Sequence, residues 1–286
     1  MGCPFERDTA VEPVAAGRYR TDLSPDWNLN PLPQGGIITA LALRAMAAEL
    51  GDDEQRLRLL HTVFAGQVAD GPLDIDVDVL RRGRSMSHLR AEVRNPGVAP
   101  GKGHTTTAVF GRARDGFEFT DAVMPTVPEP DDCPSFRDPP LPESGWEPDQ
   151  VPWPFWTKVE GRPALGLPPW DATTPRTTSL QASWRRFDES PRLADGTLDP
   201  LAVVVLCDTM PGAVGQFTGP TDREWFGPSV DLTVHLFAPA TTDWLLAVNR
   251  ARRATDGYAS VDMEMWTQTG ELVAYATQQM FFAFAS

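Results

Sequence analysis

Alternating apolar and polar positions predict antiparallel strands along most of the chain. In the stretch PSVDLTVHLF, residues 228–237, every second residue from Val230 to Leu236 is apolar and every second residue from Asp231 to His235 is polar. This period of two predicts a strand with one buried face. Asp is disfavoured in strands, so Asp231 stands out within this pattern. The same reasoning predicts strands over 17–23, 56–68, 73–82, 85–95 and 104–114, and again over 178–188, 229–237, 243–254, 258–268 and 272–284.

Two apolar stretches interrupt the strands and predict helices. Residues 35–50, GGIITALALRAMAAEL, are rich in the strong helix formers Ala and Leu and are followed by Gly51, a typical helix stop. Residues 199–217 begin with a possible N-cap, Asp199, and then Pro200 in the first turn. Each half of the chain therefore runs strand, apolar helix and about four antiparallel strands. This internal repeat predicts an α+β fold in which each sheet wraps around one central helix.

Between the two halves, residues 120–175 change character and become rich in proline. Proline fixes φ and lacks a backbone donor, so we expect no persistent helix or strand in this connection. Its Trp and Phe residues predict that it packs onto the surface of both halves. The predicted organisation is an N-terminal domain over 1–119, a connection over 120–175 and a C-terminal domain over 176–286.

Composition narrows the classes of function. The formal net charge of −14 disfavours general binding to nucleic acid or anionic membranes, so an anionic ligand would need a local basic patch such as 250–253. No apolar run approaches the ~20 residues of a membrane span, and the first residues do not have the pattern of a secretory signal. The three cysteines are widely separated, and no Cys/His cluster with metal-ligand spacing exists. These features predict a cytoplasmic protein without a structural metal.

Four segments together resemble a known family: NPLPQGGIITALALRA at 30–45, VLRRGRSMSHLRAEV at 79–93, PSVDLTVHLFAP at 228–239 and TQTGELVAYATQQ at 267–279. Their order and spacing are similar to those of the double hot-dog acyl-CoA thioesterases, the type II acyl-CoA thioesterase family. The resemblance implies a tandem hot-dog fold, an acyl-CoA substrate and no cofactor. It also implies a possible homodimer, since hot-dog sheets often associate in relatives.

In that family an Asp, a hydroxyl residue and a Gln position the water that attacks the thioester. The resemblance assigns Asp231 and Gln278 to the Asp and the Gln. The hydroxyl residue does not carry over, because Arg250 or Arg252 occupies its expected place, and Thr233 is the nearest candidate on the strand of Asp231.

The predicted substrate-binding residues are Gly35, Gly36, Arg250 and Arg252. Gly35 and Gly36 suit an oxyanion site, because backbone N–H groups at a helix N-terminus attract negative charge and glycine allows close approach.

Alternatives remain open at this point. Asp231 could simply face solvent, and the unmatched hydroxyl favours a non-catalytic protein that binds acyl-CoA or an acyl carrier; a hot-dog hydratase is a weaker third interpretation. Aligning the halves sets Leu60 opposite Asp231, which predicts one catalytic site per chain. Asp208, inside the second predicted helix, is an acid that would need a partner if buried, either lining the pocket or bonding a backbone group.

Overall fold

A computed structural model of the protein describes residues 2–29, 31–138, 153–167, 171 and 173–284. In these residues the helices are α1 Pro4–Asp8, α2 Gly35–Leu50, α3 Pro200–Cys207 and α4 Gly212–Thr218. The first strands are β1 Glu12–Ala15, β2 Arg18–Leu23, β3 Arg56–Phe64, β4 Gly71–Arg81, β5 Met86–Arg94 and β6 His104–Gly111. The later strands are β7 Val159–Leu165, β8 Gln181–Phe187, β9 Trp225–Phe226, β10 Asp231–Leu236, β11 Leu245–Thr255, β12 Tyr258–Thr267, β13 Leu272–Phe281 and β14 Ala283–Phe284.

Most of the described strands form one continuous antiparallel sheet that joins the two halves, whereas β9 and β14 pair in a separate two-stranded sheet. Twelve strands run in the order β1-β2-β4-β5-β6-β3-β10-β13-β12-β11-β8-β7, so β3 of the first half pairs directly with β10 of the second. The helices α2 and α3 pack against each other inside this sheet and are buried on nearly all sides. The tandem hot-dog architecture predicted from the sequence is confirmed.

The central helix of the first half follows its sequence signals closely. It begins at Gly35, where the side chain of Gln34 accepts a hydrogen bond from Ile37 N at 2.9 Å. It ends at Leu50, and Gly51 adopts the left-handed conformation with φ 58° that favours glycine. The prediction of a helix over 35–50 is therefore confirmed at both ends.

The second predicted helix is not continuous, which corrects the prediction for 199–217. Helix α3 ends at Cys207, and Asp208 has φ −89° and ψ 45°, outside the helical region. Pro211, just before α4, has no backbone donor and disfavours a helical conformation at the preceding residue, so the helix breaks here. By length and composition the described stretch Pro200–Thr218 could cross a membrane, but 67% of its most apolar window is buried inside the protein, as in a core helix.

The connection also differs from its prediction, because it contributes the strand β7. Val159–Leu165 pairs with β8 at the edge of the sheet, and Pro163 is tolerated there because an edge strand leaves donors unpaired. Phe155 is buried against Trp27 of the first half, whereas Met124 and Cys133 pack on the outer face of the second. Residues 139–152, 168–170 and 172 of the predicted connection lie outside the described residues.

Candidate active site

The break after α3 places Asp208 against the N-terminus of α2. Asp208 Oδ2 accepts a hydrogen bond from Gly36 N at 2.7 Å. Gln34 Nε2 donates to the backbone oxygens of Val205 at 2.8 Å and of Asp208 at 2.9 Å. The C-terminal end of one central helix is thus bonded to the N-terminal end of the other, and the carboxylate lies at the junction of the two halves.

Strand β13 brings an amide to this carboxylate, and Ser229, just before β10, brings a hydroxyl to the same amide. Gln278 Nε2, on β13, donates to Asp208 Oδ1 at 2.6 Å and to Ser229 Oγ at 2.6 Å. Gln278 is 2% exposed and Asp208 is 7% exposed, so the contacts are shielded from bulk water. We call Asp208, Ser229 and Gln278 the Asp208 cluster. It joins a potential general base to two groups that can orient a small molecule.

The hydrogen-bonding capacity of the cluster is only partly used. Both hydrogens of Gln278 Nε2 are engaged, while Gln278 Oε1 is buried and has no partner among the described residues. Ser229 Oγ accepts from Gln278, which leaves its own hydrogen to donate. A buried acceptor beside an available donor and a carboxylate suits a water molecule, which needs several polar partners.

The carboxyl group of Asp208 has an unusual acidity. Burial raises the pKa of Asp208 from 3.8 to about 7, and the hydrogen bonds from Gly36 and Gln278 oppose that rise without cancelling it. A carboxyl group with a pKa near neutrality can take up and release a proton efficiently at physiological pH. Such a shift inside a buried polar cluster is typical of a catalytic acid or base.

The two predicted oxyanion glycines lie beside the cluster. A Cβ on Gly36 would lie 3.0 Å from the Val205 Cα, and one on Gly35 would lie 2.8 Å from the Phe64 ring. Glycine is therefore needed for the close approach of α2 to its neighbours. The N–H of Gly36 is already bonded to Asp208, so this N–H stabilises the carboxylate in the structure.

The structure does not bring Asp231 to Gln278, and this corrects the predicted pairing. Asp231 Oδ1 accepts from the backbone N–H of Gln279 at 2.7 Å, on the outer face of the sheet. His61 Nδ1 lies 3.8 Å from Asp231 Oδ2 and 2.9 Å from Thr233 Oγ. Gln278 points to the opposite, buried face, because successive side chains of a strand alternate between faces. Thr233 and Asp231 therefore share a face with each other, and that face does not carry the Asp208 cluster.

The predicted arginines also lie away from the cluster. Arg252 forms an ion pair with Asp262, whose register partner on β13 is Thr277, on the face opposite Gln278. Arg250 is exposed on the same strand. Their role in binding substrate stays a prediction. In the part of the chain that the structure describes, no group of three or more His, Cys, Asp or Glu residues could hold a metal ion.

Sequence reasoning did not assign the other two members of the cluster. Asp208 carried a signal, because an acid in an apolar helical run needs a partner if buried, and the structure supplies one in the backbone of Gly36. Ser229 carried none, since it opens the predicted strand 229–237 and strict alternation places it on the face of Asp231 instead of the inner face. The hydroxyl sought near Arg250 or at Thr233 is supplied at the cluster by Ser229.

The other helix junction is chemically different. At the N-terminus of α3 the carboxylate of Asp199 accepts from Leu201 N at 2.9 Å and from Arg44 Nη2 of α2 at 2.7 Å. At this junction an arginine of α2 reaches the N-terminus of α3, whereas at the first junction an aspartate next to α3 reaches the N-terminus of α2. An ion pair closes the second junction, and one catalytic site per chain stays a prediction.

The fold defines the class, namely double hot-dog proteins, and the Asp208 cluster lies buried between the two central helices. Residues 23–111 match the acyl-CoA thioesterase N-terminal domain, and residues 130–282 match the acyl-CoA thioesterase C-terminal domain. The chain belongs to the acyl-CoA thioesterase family.

Solved structures agree with this fold along the full chain. A hot-dog protein from Alicyclobacillus acidocaldarius is 26% identical with a TM-score of 0.81, covering 100% of both chains. The acyl-CoA thioesterase II TesB2 from Mycobacterium marinum is 24% identical with a TM-score of 0.75, covering 99% of both chains. At 24% identity the likeness to TesB2 establishes the fold alone, so the reaction must be argued from the site.

Proposed function

We propose that the protein hydrolyses acyl-CoA thioesters through a water molecule held by the Asp208 cluster. The observation that carries the proposal is the buried Oε1 of Gln278, which has no partner in the part of the chain that the structure describes. It lies beside the carboxylate of Asp208 and the hydroxyl of Ser229. Family membership supplies the substrate class, acyl-CoA.

In the proposed reaction, water donates one hydrogen to Gln278 Oε1 and the other to Asp208, while Ser229 donates to its oxygen. The water oxygen attacks the thioester carbonyl carbon as its proton passes to Asp208. The C–S bond then breaks, and the departing thiolate of CoA takes the proton back from the neutral carboxyl group of Asp208. The products are a carboxylic acid and free CoA. A thioester is an activated acyl group, so general-base catalysis with an oriented water is sufficient chemistry.

The proposal also includes the cellular compartment and the oligomeric state of the enzyme. All three cysteines, Cys3, Cys133 and Cys207, are free thiols, and burial raises the pKa of the Cys207 thiol above its usual range. Free thiols suit a reducing compartment, so we infer a cytoplasmic enzyme of acyl-chain metabolism. A homodimer is also part of the proposal and is tested by the molar mass in solution.

The test is release of CoA from a panel of acyl-CoAs of increasing chain length, with Asp208→Asn beside the wild type. Removing a general base is expected to lower kcat by about 10²- to 10⁴-fold. Asp78→Asn, which breaks an exposed ion pair with Arg90 on β4 and β5, is the matched control and should keep full activity. If the wild type binds acyl-CoA but releases no CoA from any member, the protein is a non-catalytic binding protein and the proposal fails.

A further inference from the structure

Asp231 lies at an irregularity in the pairing of β10 with β13. Within β10, Thr233 pairs with Thr277, whereas just before the strand Ser229 pairs with Met280. Between these two pairs the chain advances four residues on the β10 side and three on the β13 side. One extra residue on one strand of an antiparallel pair is a β-bulge, which disrupts the ladder locally and re-aims side chains.

The bulge leaves one backbone donor without its regular acceptor. Val230 N donates to Gln279 O at 2.7 Å, so a regular pair would return a bond from Gln279 N to Val230 O. Val230 O instead accepts from Phe64 N of β3 at 3.0 Å. The side chain of Asp231 supplies the missing acceptor, with Oδ1 at 2.7 Å from Gln279 N. A single carboxylate thus completes the ladder at the bulge.

The bulge also decides which face Ser229 occupies. Asp231 and Thr233 face outward, and strict alternation would send Ser229 outward with them. Ser229 instead contacts Gln278 on the inner face. One inserted residue reverses the facing of every residue on one side of it, so the bulge accounts for the turn of Ser229 into the cluster.

We propose that Asp231 is a positioning residue that holds this bulge, and through it holds Ser229 and Gln278 in the geometry needed for hydrolysis. The bonded donor is the N–H of the residue directly after Gln278, and Ser229 lies two residues before the acceptor. Asp231 touches no reacting atom, so it acts only through these neighbours. The inference rests on the proposed function for its catalytic readout, but the bulge itself can be measured independently.

Two variants separate the acceptor from the charge. Asp231→Asn keeps an oxygen at the Oδ1 position, whereas Asp231→Ala removes it. A displacement of a catalytic group by about 1 Å can cost ~10²-fold, so Asp231→Ala is expected to lower kcat by about 10- to 100-fold with little change in KM. Asp231→Asn should rescue most of this loss, and Asp78→Ala, at an exposed carboxylate on β4, is the matched control. If alanine prevents folding, Asp231→Val also removes the acceptor and keeps a β-branched side chain that suits a strand, so the same loss of kcat is expected.

A double-mutant cycle tests whether Asp231 acts through Ser229. If it does, Asp231→Ala lowers kcat by a smaller factor once Ser229→Ala is already present, because residues acting as a unit are not additive. Fully additive losses, equal losses in Asp231→Ala and Asp231→Asn, or wild-type kcat in Asp231→Ala would each overturn the proposal.

Amide hydrogen exchange at Gln279 provides a readout that needs no activity. The N–H of Gln279 should exchange faster in Asp231→Ala and stay protected in Asp231→Asn, since only the first lacks an acceptor. Absence of wild-type turnover would defeat the proposed function, yet this pattern of exchange would still support the bulge. Unchanged protection in Asp231→Ala would overturn the positioning role whatever the activity.

Discussion

Ionisation of Asp208 should make the protein less stable at alkaline than at acidic pH, and Asp208→Asn should remove that effect. The pKa of the carboxyl is raised by burial from 3.8 to about 7 in the folded protein. Between pH 3.8 and pH 7 the folded protein therefore keeps a proton on Asp208 that the unfolded chain has lost. Stability from this group is fully present below pH 3.8 and is lost as the pH rises through 7.

The size of the effect follows from the separation of the two pKa values. A difference of about three pH units corresponds to about 4 kcal/mol, since one unit is worth about 1.4 kcal/mol. Asn keeps the volume of Asp and cannot ionise. The unfolding free energy of the variant minus that of the wild type should therefore be up to about 4 kcal/mol larger at pH 8 than at pH 4.

Urea unfolding of both proteins between pH 4 and pH 8 measures this difference directly, because comparing variant with wild type cancels the other titrating groups. The same ionisation should appear in catalysis, with kcat/KM rising through an apparent pKa near 7 if Asp208 is the base. A stability difference between the two proteins that does not change with pH would refute the assigned protonation of Asp208.

Three further predictions concern the surroundings of the site. Gly36→Ala should lower stability by about 1–3 kcal/mol and reduce kcat, because its Cβ would lie 3.0 Å from Val205 Cα; wild-type Tm and kcat would contradict this. Burial lowers the pKa of His104 to about 4, so stability falls as the pH drops from 6.5 towards 4; His104→Phe should reduce that fall by about 3 kcal/mol in acid unfolding, and an unchanged slope would speak against it. Arg250→Ala should raise KM for acyl-CoA several-fold at low salt and less at high salt if its guanidinium attracts the phosphates, and a salt-independent KM would exclude that role.

The sequence was most informative where a single local signal determined the structure. Alternation predicted most strands of the large sheet, although not β1 or β7, and the apolar run closed by Gly51 predicted helix α2 at both ends. The Asp208 cluster depends on contacts between distant residues: Gly36 and Asp208 are 172 positions apart, and Gln278 and Asp208 are 70 apart. No local pattern reports such a contact.

The β-bulge explains why the inward position of Ser229 could not be predicted from the sequence. A period-two pattern assumes that facing continues unchanged along the strand, and one extra residue reverses it without altering the apolar positions of β10. The unusual acid in the strand lies at the bulge, on the face opposite the Asp208 cluster. Its visible role in the structure is to accept a bond from Gln279 N beside Gln278.

The most direct test of the central claim compares kcat of Asp208→Asn with that of Asp231→Asn on the best acyl-CoA substrate, under saturating conditions and with both variants shown to be folded. If the Asp208 cluster hydrolyses the thioester, Asp208→Asn loses about 10²- to 10⁴-fold and Asp231→Asn keeps most of the wild-type rate. The reverse result, with Asp231→Asn inactive and Asp208→Asn active, would contradict the account.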